Sequence, residues 1–485
     1  VTKLKFRTKP YPHQKQATAR AVAQGSHAFL FEPRCGKTKA MLDAIAVQHH
    51  RGEVDRVCVV APLTVMSVWE DEIRAHLSVP ANVKTIGSPA WNWYPTNART
   101  ALKKKIHERA ILKIFLINYD RFSKRGEDEA YSNEWLKTIQ SWHPDLLILD
   151  ESHRVASAGA IRSQSLWRMV ERLRKNSPQD KPWVYLATGT PGAYIKLFSQ
   201  YRILDQTIFG TSKANFEDDY CVYGFGPLKH TVIRYRNKNR LLKKIKARAT
   251  IVNAQEVGLS NKEFFNPIRV DLPPKAKELY NELVTSFIAE LEDGTTISAT
   301  NAGVLRLRLL QLTGGFTTDG KQIHSAKVEA AHDYLSDLCD QRENVVGYAR
   351  FIPEVLALEG AAKRAGYDVH VIRGGVKRSD RAAYVDWFRI SARRPKTLVF
   401  QVQSGALGLD LTAAAETLFF GIPDGWEAFF QGINRIKGPK QKRPVRHTFI
   451  TAKGTLDLRV LDALRNKRDI HKEMMGNAHN FLLGL

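Results

Sequence analysis

Short β-branched and apolar runs alternate with helix-patterned stretches along this chain, twice over, and that alternation restricts its fold more than anything else. His27 to Glu32 reads as a strand, Lys37 to His50 as a helix, Arg56 to Pro62 as a strand and Thr64 to Leu77 as a helix. Strands follow at Ile111 to Tyr119, Asp145 to Asp150 and Trp183 to Thr188. Strands that are apolar on both faces and separated by helices belong to a parallel sheet with crossover helices. A second series starts near Lys327, with strands at Asn344 to Ala349, Asp368 to Arg373, Thr397 to Val402, Glu416 to Gly421 and Val445 to Thr451. Its helices include Ser379 to Arg389, with Ser379 as N-cap, and Gly425 to Arg435.

The expected organisation is therefore α/β with two lobes, 1–225 and 327–452, which share no sequence repeat. The segment 226–326 is rich in helix formers and reads as helical protrusions plus the link between lobes. It opens on a basic stretch, His230 to Arg248, that contains no acid. Residues 453–485 read as a C-terminal helix and tail.

Charge narrows the partner. Lys plus Arg is 74 against 49 Asp plus Glu, a formal charge of +25. Such a surplus attracts polyanions, since each neutralised phosphate releases condensed counterions. No apolar run approaches the roughly 20 residues of a membrane helix, and the N-terminus has no signal-like segment. The four cysteines, Cys35, Cys58, Cys221 and Cys339, lie far apart and form no CxxC pair, which fits a reducing cytoplasm.

Two segments carry recognisable chemistry. The first predicted strand runs into Pro33-Arg34-Cys35-Gly36-Lys37-Thr38 and then a helix. That is the setting of a phosphate loop: backbone N–H groups and a helix N-terminus face the phosphates, Lys37 adds a point charge, and Thr38 ligates Mg²⁺. Phe31 stands where a small residue or glycine usually opens such a loop. The second is Asp150-Glu151-Ser152-His153, at the end of Leu146-Leu147-Ile148-Leu149. Asp150 would hold Mg²⁺, and Glu151 would orient and deprotonate the attacking water.

A phosphate loop, then Asp-Glu-Ser-His, then Thr188-Gly189-Thr190-Pro191 resembles superfamily-two helicases, and further motifs resemble the Swi/Snf-like ATPases of that superfamily. Tyr11-Pro12-His13-Gln14 looks like the adenine-reading Q motif, with Gln14 contacting the base. Ala61-Pro62-Leu63-Thr64 with Trp69 and Glu72 resembles motif Ia, where a helix N-terminus meets a DNA phosphate. Asn118-Tyr119 ends a strand where family members carry another DNA-contacting element. Arg373-Gly374-Gly375, with Arg381 and Phe388, resembles the strand–Gly–helix segment of the second lobe. Ser404 to Leu411 resembles motif V, with Ser404 and Gly405 at DNA and Gly408 and Asp410 at nucleotide. Trp426, Gln431 and Arg435 resemble motif VI, and Gly454-Thr455-Leu456-Asp457 the start of the brace helix. Arg350 is a further DNA contact on this resemblance.

The resemblance implies two RecA-like lobes with helical protrusions between them and a C-terminal brace helix. It implies ATP and Mg²⁺ as cofactors, and ATP hydrolysis with Lys37, Asp150, Glu151 and the finger Arg435 as catalytic residues. The expected partner is double-stranded or branched DNA, tracked by a monomer that remodels or branch-migrates replication or recombination intermediates. One departure stands out: the second arginine of motif VI is Gly438, with Lys437 and Lys440 nearby as substitute charges. A strand-separating helicase on DNA or RNA and a catalytically weak nucleic-acid clamp are the alternatives. The basic stretch has two readings, DNA track or packed closing helix of the first lobe. Trp91 and Trp93 beside Tyr94 read as loop anchors, with base stacking as the alternative. Compactness and the lack of reader modules suggest a prokaryotic or phage protein, cytoplasmic and nucleoid-associated.

Overall fold

Strands that are apolar at every position lie mid-sheet, where both faces are covered. The computed structural model describes residues 4–85, 111–122, 129–177, 180–189, 193–225, 229, 232–258, 262–292, 299–402, 409–423, 425–438 and 440–464. The chain divides into two units, the first within Val1–Gly258 and the second Leu259–Asp469.

The first unit holds β1 (His27–Phe31), β2 (Arg56–Ala61), β3 (Ala81–Thr85), β4 (Leu112–Asn118), β5 (Leu146–Asp150) and β6 (Trp183–Ala187). It continues with β7 (Cys221–Tyr223), β8 (Val232–Tyr235) and β9 (Ala249–Val252). Seven of these form one parallel sheet in the order β3-β4-β2-β5-β6-β1-β9, while β7 and β8 pair antiparallel on their own. β1 and β5 are buried at all five positions. Ala28, Leu30, Cys58, Val60, Leu147, Leu149, Val184 and Leu186, alternate residues of four strands, share one core with helix residues such as Leu166, Met169 and Leu197. Each buried aliphatic side chain contributes about 1.5–3 kcal/mol, so this layer fixes the central register.

The second unit holds β10 (Glu263–Val270), β11 (Val345–Ala349), β12 (Asp368–Ile372), β13 (Lys396–Gln401), β14 (Glu416–Phe419) and β15 (Val445–Ala452). They form a parallel sheet in the order β10-β15-β14-β11-β13-β12. No described helix is long and apolar enough to cross a membrane.

The segment 226–326 differs from its helical reading. It contributes β8 to the antiparallel pair, β9 to the edge of the first sheet and β10 to the edge of the second, before the helices Pro274–Glu292 and Ala299–Gly314. Pro267 sits inside β10, which its edge position permits because one side of the strand needs no N–H donor. The helix Lys238–Ala247 within the basic stretch buries Leu241, Leu242 and Ile245. Tyr201 Oη donates to its Ile245 carbonyl at 2.9 Å, and Lys244 Nζ donates to the Ile208 carbonyl at 2.8 Å. This is the packed reading of that helix. At Arg378–Arg389 the N-cap is Lys377, and the Ser379 hydroxyl turns to Asp380 at 3.0 Å.

Four charged side chains lie buried together in the second unit. Lys327 and Asp457 pair at 2.6 Å, and Asp457 also accepts from Ala452 N at 3.0 Å and Thr313 Oγ1 at 3.2 Å. Glu354 accepts from the backbone N–H groups of Arg350 and Phe351, and the Arg350 guanidinium donates to the Ile422 carbonyl. Burial pushes the Glu354 carboxyl up, against the pull of Lys327. Lys327 thus neutralises a site where Asp457 would otherwise be an uncompensated charge. Lys327→Met should destabilise the second unit by about 3–5 kcal/mol, read as a lowered denaturant midpoint at unchanged slope. A change below about 1 kcal/mol would contradict this account of the pair.

Candidate nucleotide site

β1 and β5 both end at the carboxyl edge of the first sheet with β6 between them. Strands lie about 4.8 Å apart, so their loops open within about 10 Å of one another. The crevice outside the carboxyl ends of such strands is where open α/β sheets take ligands.

After β1, Cys35 N donates to the Glu32 carbonyl at 3.2 Å and closes a turn. Arg34 and Gly36 both take positive φ, 67° and 74°. Gly36 is left-handed at the cap of the helix Lys37–His50, and a Cβ there would lie 2.0 Å from Gln14 Nε2. Gln14, 4% exposed, donates to the Gly36 carbonyl at 3.2 Å, and His13 Nε2 lies 2.9 Å from the Cys35 carbonyl. The Tyr11–Gln14 segment therefore braces the loop from below. Phe31 is fully buried as the last residue of β1 and leaves the loop unobstructed. Gly189, after β6, must be small: a Cβ would meet Pro33 Cδ at 2.9 Å and the Phe31 carbonyl at 3.1 Å.

Lys37 leads the helix and reaches over β6. Its Nζ lies 3.3 Å from Glu151 Oε1 and 3.9 Å from Asp150 Oδ1. Asp150 is 3% exposed, with Oδ2 accepting from Trp69 Nε1 at 2.9 Å and Oδ1 from Glu151 N at 3.0 Å. Tyr119 Oη donates to the Asp150 carbonyl at 2.8 Å. Burial raises the Asp150 carboxyl, and the Glu151 charge adds to that against the pull of Lys37. Burial acts on Glu151 in the same direction, but Lys37 and His153 together outweigh it and hold that carboxyl well below the usual range.

Glu151 has φ 53°, a left-handed conformation that costs a residue with a side chain about 1–3 kcal/mol. Its neighbours enforce it. His153 Nδ1 lies 3.3 Å from Glu151 Oε2 and 3.2 Å from Thr188 Oγ1, and the Ser152 hydroxyl donates to Gln200 Oε1 at 2.7 Å. Among the described residues no cluster of three His, Cys, Asp or Glu side chains forms a metal cage. One buried carboxylate and the Thr38 hydroxyl are the kind of oxygen donors suited to Mg²⁺, which keeps waters and binds largely through substrate phosphates.

The remaining expected residues are scattered. Thr64 lies in the 3-10 turn Leu63–Val65 after β2. Asn118, 7% exposed, ends β4 and donates to Asp120 at 3.4 Å. Tyr119, 1% exposed, has its hydroxyl on Asp150, and Arg350, 3% exposed, has its guanidinium on Ile422. Both are expected at DNA; both side chains are buried, as that of Asn118 is, and each holds a strand end. Asp410 accepts from Thr412 N at 3.2 Å and from Lys440 at 3.4 Å. Ser404, Gly405, Gly408, Thr190, Pro191, Trp91, Trp93 and Tyr94 lie outside the described residues.

In the second unit Arg435 caps the helix Trp426–Asn434, and its carbonyl accepts from Leu411 N at 3.1 Å. Gly438 has φ 132°, a conformation essentially restricted to glycine. Lys437, 9% exposed, pairs with Glu263 of β10. Sequence reasoning left three positioning residues without these roles. Trp69 and Tyr119 were assigned near DNA although they fix Asp150, and Gln200 carried no motif at all.

The family model described as "Type III restriction enzyme, res subunit" matches residues 7–192. An uncharacterized ATP-dependent helicase of Mycoplasma pneumoniae is 20% identical over 460 residues, covering 93% of this chain and 40% of that protein. The DNA annealing helicase and endonuclease ZRANB3 of Mus musculus is 24% identical over 484 residues, covering 96% and 41%. The DNA repair and recombination protein RDH54 of Saccharomyces cerevisiae is 22% identical over 466 residues, covering 88% and 47%. The chain thus spans two fifths to a half of the length of these relatives. A solved SWI2/SNF2 ATPase core of Sulfolobus solfataricus in complex with dsDNA aligns at 14% identity with a TM-score of 0.42, covering 100% of this chain and 97% of that one. Gln14, Lys37, the acid pair and Thr188 all lie inside the matched region, and the chain is similar to helicase-type ATPases of superfamily two.

Proposed function

We propose that this protein hydrolyses ATP and uses the cycle to translocate along double-stranded DNA, remodelling or branch-migrating replication or recombination intermediates. The observation that carries the reading is Lys37, poised 3.3 Å from Glu151 and 3.9 Å from Asp150 beside a loop of backbone donors. When the β- and γ-phosphates enter the loop, the Lys37 ammonium exchanges its carboxylate contact for phosphate oxygens. Glu151 then loses the largest charge that holds its carboxyl down, and becomes a better acceptor for a proton from water. His153 keeps that carboxylate oriented and links it to Thr188. Asp150 and Thr38 would hold Mg²⁺, which supplies charge neutralisation on the phosphates. Arg435 is the finger of the second lobe in this scheme.

An active motor is favoured over a weak clamp because the loop is intact despite Phe31, which belongs to the core. A nucleic-acid partner is favoured by the charge of +25, and DNA by relatives whose names describe DNA annealing, repair and recombination. Thr64 and Asn118 lie at the carboxyl ends of β2 and β4 and remain our candidates for backbone contacts, as do Ser404 and Gly405. Phosphate contacts of this kind position a protein without reading sequence.

The deciding experiment is ATPase rate with no nucleic acid, single-stranded DNA, duplex DNA, a four-way junction and RNA at fixed salt. Duplex or junction should stimulate turnover above single strands. A preference for single strands would replace the translocase with a strand-separating helicase, and a flat response near zero would leave the clamp. Lys37→Ala should lower turnover at least about a hundredfold, since it removes the main charge on the phosphates. Substantial residual hydrolysis would move the active site elsewhere. Glu151→Gln should still bind ATP but cleave it about 10²–10⁴-fold more slowly, measured by nucleotide titration beside single-turnover hydrolysis. Turnover at the unmodified rate would remove Glu151 from its role.

A further inference from the structure

We infer that the β7–β8 ribbon is a second nucleic-acid contact, in which Phe225 stacks on an unpaired base at a junction or strand end. The inference rests on the DNA-translocase reading and names the substrate feature that the ribbon would recognise.

β7 and β8 are the antiparallel strand pair of the described residues, joined to neither large sheet. Phe225 follows β7 by two residues and is 91% exposed. Among the described residues the next most exposed large apolar side chain, Ile390, is 66% exposed. An aromatic ring in water represents a large unfilled contact area and a π-face open to stacking. On β8, Ile233 is 55% exposed, and Arg234 beside it is exposed as well. The chain from His230 to Arg248 carries no acid, and Lys243 stands exposed on the helix that follows. An exposed aromatic ring on a ribbon whose other strand carries an exposed arginine suits a nucleotide strand, which offers a base face and a phosphate in each repeat. Inside a duplex both faces of every base are occupied by neighbours. The ring therefore finds a partner only where a base is unstacked, at a fork, a junction or a single-stranded end.

The ribbon is also joined to the catalytic edge of its own lobe. Tyr235 of β8 meets Tyr194 edge-on at 5.1 Å, and its hydroxyl accepts from Ile195 N at 3.5 Å. Tyr194 and Ile195 open the helix Tyr194–Leu204. Further along that helix, Gln200 accepts from Ser152, the residue after Glu151. A base captured at Phe225 is thus connected through one rigid helix to the segment that holds the catalytic glutamate in its left-handed conformation. Load on the ribbon would reach hydrolysis without touching the nucleotide.

The test compares the wild type with Phe225→Ala and Phe225→Trp, on a four-way junction carrying 2-aminopurine at the branch point and on a blunt duplex. ATPase without DNA should be equal in all three. For Phe225→Ala, half-saturation by the junction should rise about tenfold, blunt duplex should be unaffected, and the fluorescence change of the probe should disappear. Phe225→Trp should restore both. Equal junction affinity and an equal probe signal in Phe225→Ala would overturn the inference, and the exposed ring would then belong to a protein contact. An equal loss on blunt duplex would also overturn it, since that marks a general backbone contact. Failure of the translocase reading appears separately, as a wild type whose turnover ignores every nucleic acid, while the probe signal still tests stacking in binding alone.

Discussion

One lysine holds the catalytic edge together. Lys37 stands between two carboxylates that would otherwise repel each other, 3.3 Å from one and 3.9 Å from the other, at a place where burial already disfavours charge. Its position follows from strand order. The loop that carries it leaves β1, the acids leave β5, and β6 keeps the two apart by about the reach of a lysine side chain. The strain at Glu151 follows from the same arrangement, because His153, Ser152 and the acid itself are each held by a partner on a different element. Phosphate can enter only by taking Lys37 from those carboxylates, so nucleotide binding and activation of the base are one event in our proposed mechanism.

The centre of each sheet was legible, and of the margins only β12 was. β1, β2, β4, β5 and β6 announce themselves as mostly apolar runs because both of their faces are covered. β3 and β10 sit at edges, where one side of the strand faces solvent, and their sequences Ala81-Asn82-Val83-Lys84-Thr85 and Glu263 to Val270 are correspondingly mixed. Pro267 would argue against a strand anywhere but an edge. β9 is only four residues long and directly follows a helix, so its apolar content reads as the end of that helix.

The site divides in the same way, between what local order fixes and what burial decides. Gly36, Lys37, Asp150 and Glu151 could be read because a strand end followed by those residue types points to one chemistry. The supports could not. Tyr119 and Trp69 lie at strand and helix positions that suit a surface contact equally well, and only the packing turns both inward to Asp150. Arg350 illustrates the same limit in the second unit, where an arginine after a strand is drawn under the surface by the Ile422 carbonyl beside Glu354. Sequence position gives the end of an element, whereas solvent access depends on neighbours tens of residues away.

The glycine at 438 takes on a different meaning once its backbone is seen. From sequence it is a lost arginine that a lysine nearby could replace. The turn takes φ 132° there, which an arginine could adopt only with strain, so this backbone suits glycine at 438. The substitutes are also committed elsewhere: Lys437 is buried against Glu263, and Lys440 leans on Asp410, which in turn caps Thr412. Replacing Lys437 would disturb β10, whereas the pair of Lys440 with Asp410 is exposed and weak. Arg435 itself caps the helix Trp426–Asn434, which sets the geometry of that end of the turn.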